Sequence, residues 1–220
     1  VLIVDLDPQG NASTGVGVDV DQRQFTTYDL LVGSADLTDI ILPTAMSNLS
    51  IIPATVDLSS ADLDLMSNEK RIFLLREALR SDTATSYRFD YILIDCPPSL
   101  NLLTINAMIA SDSVLVPLQS EFFALEGLSQ LMLTVREVRQ GGNKDLRIEG
   151  IVLTMYDGRN NLSLQVEQDA RDNLGDMVFK TKIPRNVRVS EAPSFSMSVL
   201  GYDSTSKGAE AYRNLAQEVL

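Results

Sequence analysis

Val1-Leu2-Ile3-Val4-Asp5-Leu6-Asp7-Pro8-Gln9-Gly10 is the stretch on which the fold turns. Four branched apolar residues in a row suit a strand buried on both faces, the pattern of a parallel sheet. The run stops at carboxylates, a proline and a glycine, so polar punctuation falls at the strand's carboxyl end. In open α/β sheets, ligands bind at that end. The pattern recurs. Apolar runs cover Leu49–Ile52, Tyr91–Ile94, Val114–Val116 and Ile148–Met155; the second stops at Asp95-Cys96-Pro97-Pro98 and the third at Pro117. Between them, Leu63–Leu79, Leu125–Val138 and Ser163–Leu174 carry helical spacing, and Lys207–Leu220 reads as a surface helix with Ala211, Leu215 and Val219 four apart. Strands alternating with helices predict an α/β fold, a doubly wound, mainly parallel sheet in a single domain over residues 1–220.

Composition narrows the chemistry. Of 220 residues, 45% are hydrophobic and 22% charged, which excludes wholesale disorder. There is one cysteine, Cys96, and no histidine. Disulfide frameworks, Ser-His-Asp triads, Cys-His nucleophiles and histidine-ligated zinc are therefore excluded. Cys96, Phe122-Phe123 and the scattered methionines are expected as core or interface filler. No run reaches the roughly 18 apolar residues of a membrane helix. The net charge of −12 is uneven: residues 1–69 hold eleven acids against the single basic Arg23. Later, Lys180, Lys182, Arg185 and Arg188 form a purely basic run. The chain opens on its apolar run without a methionine, and the expectation is a fragment whose upstream residues are missing.

Asp5 and Asp7 are two apart, so a strand continuing through them points both to one face. Carboxylates so placed repel one another unless a cation separates them, and a hard cation such as Mg²⁺ suits oxygen ligands. The alternative, one acid capping the next segment and the other solvated, stays open. Tyr91-Ile92-Leu93-Ile94 driving into Asp95 has the form of a Walker B strand, whose acid holds Mg²⁺ through water. The companion Gly-x-x-x-x-Gly-Lys-Ser/Thr loop is not in these residues; Gly141-Gly142-Asn143-Lys144 and Ser206-Lys207-Gly208 do not match it.

Asp5 to Gly15 resembles the second nucleotide-site motif of the ParA/Soj family of chromosome and plasmid partition ATPases. Tyr91–Pro98, Ala124–Leu128, Pro184–Arg188 with Ser190–Pro193, Tyr202-Asp203 and Lys207–Tyr212 resemble further blocks of that family, in order. The resemblance implies a P-loop NTPase-like three-layer sandwich lacking its first strand and P-loop, with the deviant loop Lys-Gly-Gly-Val-Gly-Lys-Thr expected upstream of Val1. It implies ATP and Mg²⁺ as cofactors. Asp7 is then the catalytic aspartate that orients the attacking water, Asp5 supports catalysis and the metal environment, and Asp95 holds a metal-bound water. Ile183, Pro184 and Asn186 are implied at the adenine, and Arg159, Arg188, Lys182 and Arg185 at DNA phosphates. The family pattern further implies an ATP-dependent homodimer, non-specific DNA binding, a ParB-like stimulating partner, a cytoplasmic, nucleoid-associated location and no membrane. Without the loop, these residues alone are expected to be inactive. The alternatives are a MinD-like membrane-positioning ATPase, disfavoured by the acidic, lysine-free end Asn214–Leu220, and a non-catalytic interaction module that lost the loop.

Overall fold

The computed structural model describes residues 1–121 and 124–220; Phe122 and Phe123, expected as filler, lie outside the described residues. The chain divides into two compact units, Val1–Ser111 and Asp112–Leu220.

In the first unit, strands β1 (Leu2–Asp5), β2 (Leu42–Pro43), β3 (Ser50–Ile52) and β4 (Ile92–Asp95) form a sheet in the order β2-β3-β1-β4. β1 runs parallel to both neighbours, with Val4 opposite Ile52 and Ile94, and Asp5 opposite Asp95. The sheet is mixed, because β2 pairs antiparallel with β3. Helices α1 (Asn11–Gly15), α2 (Thr27–Val32), α3 (Leu37–Ile40), α4 (Ala61–Asp64), α5 (Leu74–Leu79), α6 (Asp82–Ser86) and α7 (Leu102–Ala110) complete the unit. Leu2 and Val4, on one face of β1, and Leu6 just beyond it are buried among Ile52, Leu58, Leu75 and Leu103; on the other face Asp5 is buried and Ile3 half-buried, so the burial on both faces that the sequence predicts is met only in part. Fully burying each such side chain contributes roughly 1.5–3 kcal/mol.

β4 departs from the expectation. Its apolar run reads as buried, but it pairs with β1 on one side only, and Tyr91 and Leu93 are 50% and 56% exposed. Cys96, expected in the core, is exposed for the same reason, since the chain leaves the sheet at this edge. Leu63–Leu79 is also not one helix. Turns separate α4 from α5, and the Asn68 side chain accepts the Lys70 N–H at 2.8 Å, a local bond that competes with helix formation. Buried Asn106 then holds the far side, accepting from Leu75 N and donating to Arg71 O.

In the second unit, β5 (Ser113–Gln119), β6 (Arg147–Tyr156) and β7 (Val178–Pro184) form a parallel sheet in the order β5-β6-β7. Helices α8 (Ala124–Gly141), α9 (Asn161–Leu174), α10 (Val187–Glu191), α11 (Val199–Tyr202) and α12 (Lys207–Val219) accompany it. The sequence pattern marks α8, α9 and α12 well but shows β7 only as an end at Ile183-Pro184. Lysines interleave its apolar residues, as suits an edge strand. The expected helical spacing of α12 is realised: Ala211 and Leu215 pack on Val152 and Ile183. Near its end, Glu218 accepts the backbone N–H groups of Lys180 at 2.7 Å and Thr181 at 3.0 Å, which covers the flank of β7 with a carboxylate. Among the described residues no helix is long and apolar enough to cross a membrane.

Candidate functional site

β1 ends at Asp5 and does not continue through Asp7, so the two acids do not share a strand face. The reason lies in Asp5 itself, whose fully buried carboxylate turns inward. One oxygen accepts Asp7 N–H at 3.1 Å; the other accepts Ser13 N–H at 2.8 Å and Ser13 Oγ–H at 2.6 Å. Ser13 Oγ in turn accepts the N–H of Ala54, and Thr27 Oγ1 donates to the Asp5 carbonyl at 2.7 Å. Asp5 thus anchors α1 to the end of β1. Ser13 and Thr27, which complete this network, have no sequence signal beyond being small hydroxyl residues near a strand end.

Asp7 sits in the turn that follows. Its carboxylate accepts Gln9 N–H at 2.9 Å, and its carbonyl accepts Gly10 N–H at 2.9 Å. Gly10 adopts φ +63°, a conformation that glycine takes without steric cost. Asp7 opens on a cleft of about 560 Å³ that is also lined by Asn11, Asp62, Pro97, Pro98 and Asn101. Asp62 and Asn101 escape the sequence reading; Asn101 is held by capping α7 through Leu103 N and Thr104 N.

Asp95 ends β4 beside Asp5. Crowding by surrounding protein, then the charges of Asp5 and Asp7, pushes its carboxyl up to about 6, although the sheet edge leaves it open to water on one side. Cys96 next to it is pushed up to about 12 by desolvation from the surrounding protein and by the charge of Asp95, so the thiol stays protonated at neutral pH. Mutual repulsion among oxygen donors is the state that a hard divalent cation relieves. Among the described residues no group of three metal-ligating side chains occurs, so these carboxylates by themselves form no closed protein cage for a cation.

The second unit carries the basic residues. Arg159, whose side chain is 91% exposed, forks onto Asp157 with two bonds of 3.0 Å and depresses that acid to about 2. Arg188 bonds Glu191 at 3.0 Å and Asp203 at 3.4 Å. Lys182 is tied to Glu167 at 2.9 Å and lies over the Tyr156 ring at 4.2 Å. Glu167 also accepts from Tyr156 Oη and Arg171 Nε; burial works against its charge, but these bonds hold it below the usual carboxylate range. Arg185 is exposed and forms no ion pair among the described residues. Ile183 is buried under α12, Pro184 ends β7, and Asn186 caps α10 by accepting Arg188 N–H at 2.9 Å. An open groove of about 680 Å³ runs past Pro184 between Lys180, Lys182 and Lys207.

A family model described as an AAA domain matches residues 1–148. The chromosome partitioning protein ParA of Caulobacter vibrioides is 53% identical over all of this chain, covering 82% of that protein. The sporulation initiation inhibitor protein Soj of Bacillus subtilis is 52% identical, covering all of this chain and 85% of that protein. Among solved structures, cobyrinic acid a,c-diamide synthase from Mycobacterium smegmatis, with bound ADP and magnesium, superposes with a TM-score of 0.82 at 34% identity, covering 98% of this chain and 79% of its own. With its paired strand-end acids and an α/β fold of this P-loop NTPase-like kind, the chain belongs to the ParA/Soj family of partition ATPases.

Proposed function

We propose that this chain is the nucleotide-binding domain of an ATP- and Mg²⁺-dependent partition protein, and that Asp7 and Asp95 are the acids that serve hydrolysis. The observation that carries the reading is the cleft onto which the Asp7 turn and the segment following Asp95 both open. When bound, Mg²⁺ neutralises charge on the phosphates, and the rest of phosphoryl transfer is positioning. Asp7 then accepts a hydrogen bond from the attacking water and orients it. Asp95 would help to hold the cation, through a water. Asp5, enclosed by Ser13 and the Asp7 amide, supports both by position. In the second unit, Ile183 and Pro184 through backbone and apolar contact, and Asn186, are assigned to the adenine.

Arg159, Arg185 and Arg188 are assigned to DNA phosphates, which contribute affinity without reading bases. Lys182 belongs to the same run but reaches DNA only by leaving Glu167. The cycle we propose is an ATP-dependent homodimer that binds DNA non-specifically at the nucleoid and releases it when a ParB-like partner stimulates hydrolysis.

The test uses the ATPase carrying a Lys-Gly-Gly-Val-Gly-Lys-Thr loop upstream of Val1. Asp7→Ala is expected to abolish turnover while ATP affinity survives, and Asp95→Ala to raise the Mg²⁺ concentration needed for half-maximal rate. Turnover of Asp7→Ala within a few-fold of the parent removes Asp7 from its role.

A further inference from the structure

Arg23 is the single basic residue among the first 69, and it is buried, 7% exposed; among the described residues no carboxylate lies at ion-pair distance from its guanidinium, although the charges of Asp5 and Asp19 favour its charged form. Burying a charge without an ion-pair partner is costly, so its hydrogen bonds must do the compensating. They are numerous and short. Nε and Nη2 donate to Val18 O at 3.2 and 2.6 Å, Nη1 donates to Ala54 O at 3.0 Å, and Nη2 donates to Thr14 Oγ1 at 2.9 Å. The fork therefore ties together the segment after α1, the segment after β3 and α1 itself.

What it holds is the Asp7 turn. Thr14 Oγ1, which accepts from Arg23, donates to Gly10 O at 3.1 Å. Gly10 closes the turn by donating to Asp7 O. The contact with Gly10 is also steric: a Cβ on Gly10 would lie 2.5 Å from Arg23 Nη1 and 2.9 Å from Ala54 O. Gly10 is thus pressed against the guanidinium on one side and bonded to Asp7 on the other. Asp5 fixes the same helix at the adjacent residue, through Ser13.

We infer that Arg23 is a positioning residue for the hydrolytic site: its planar fork locks Gly10 and α1, and so sets where the Asp7 carboxylate stands in the cleft. The inference rests on the reading of Asp7 above. Arg23 touches no reacting atom. Its geometry, and not its charge alone, is what positions Asp7, because only a rigid fork serves Val18, Ala54 and Thr14 together.

The experiment compares Arg23→Lys, Arg23→Met and Asp7→Ala with the parent by amide hydrogen exchange on the 220-residue chain. Turnover is measured on the same variants carrying the upstream phosphate loop. The expected result for both Arg23 variants is exchange of the Asp7–Thr14 amides accelerated roughly tenfold or more beyond that of β1 and β3. The accompanying loss in kcat is roughly 10- to 100-fold, with KM for ATP within about twofold of the parent. Exchange accelerated uniformly over Val1–Ser111, with kcat per folded molecule unchanged, overturns the inference and leaves Arg23 as general packing. Full kcat in Arg23→Lys overturns it too, and that milder variant decides the matter alone where Arg23→Met does not fold. If Asp7→Ala itself retains turnover, the role given to Asp7 fails, and the exchange data still judge whether Arg23 holds the turn.

Discussion

Asp5 and Asp95 stand opposite each other in the register of β1 and β4, yet among the described residues hydrogen-bond donors meet the carboxylate of Asp5 and not that of Asp95. Two acids in equivalent strand positions therefore have opposite characters, one structural and one available. The folded chain holds the Asp95 proton up to about pH 6, whereas an unfolded aspartate releases it near 3.8. Between those values the folded state binds more protons, so Asp95 makes stability fall as pH rises from about 4 to about 6. Asp95→Asn should flatten that decline and stabilise the chain at pH 7 by about 1 kcal/mol, less than the whole shift implies because water screens the open side. Urea unfolding at pH 4 and pH 7 measures it; a variant less stable than the parent at pH 7 contradicts the assignment.

Asp5→Ala should be among the most damaging single changes in the first unit. It strands the Ser13 N–H, the Ser13 hydroxyl and the Asp7 N–H at a buried place. The expected loss is about 2–4 kcal/mol in denaturant unfolding, against less than about 1 kcal/mol for Asp7→Ala, whose carboxylate meets only the Gln9 amide. Equal losses would mean that the two acids are not divided as the geometry divides them.

Asp157 restrains Arg159 in the bidentate fork. Asp157→Ala should free the guanidinium, strengthen non-specific DNA binding by the ATP-bound protein, and steepen the log affinity against log salt slope by up to roughly 0.9. Arg159→Ala should weaken binding and make that slope shallower. Retardation at two salt concentrations on two unrelated sequences distinguishes these outcomes, and identical slopes for both variants would place Arg159 away from DNA.

Glu167 gathers Tyr156, Arg171 and Lys182 onto one carboxylate. Glu167→Gln should cost about 1–2 kcal/mol of stability, since charge-assisted bonds weaken and Lys182 is left without its counter-charge. Lys182→Ala should appear in thermal unfolding more than in DNA affinity. A large loss of DNA binding with unchanged melting would restore Lys182 to the DNA surface.

The sequence carries β1 and the polar end of β4 openly, because a two-sided apolar run followed by acids has few other physical meanings. It does not show which acid turns inward. That depends on Ser13 and Thr27 arriving from other elements, and a hydroxyl residue announces neither its partner nor its burial. β4 shows a second blind spot, since Tyr91-Ile92-Leu93 looks the same in sequence whether a neighbouring strand covers it or not. β7 is hidden for the converse reason, its lysines masking the strand that Pro184 ends. Arg23 stands out by count as a lone cation, but only its contacts with Gly10 and Thr14 reveal what it holds.

Two edge strands, one in each unit, are treated differently, and this bears on how the protein behaves in a tube. β7 is sealed by Glu218, whereas β4 ends its sheet with Tyr91 and Leu93 facing water. An open parallel edge with apolar side chains is a template for another chain's backbone. Colloidal behaviour should therefore be set at β4: turbidity rising with protein concentration, suppressed by a lysine at position 93 and indifferent to a charge added beside β7. Such a molecule is best kept dilute, and its shelf life is a property of one strand.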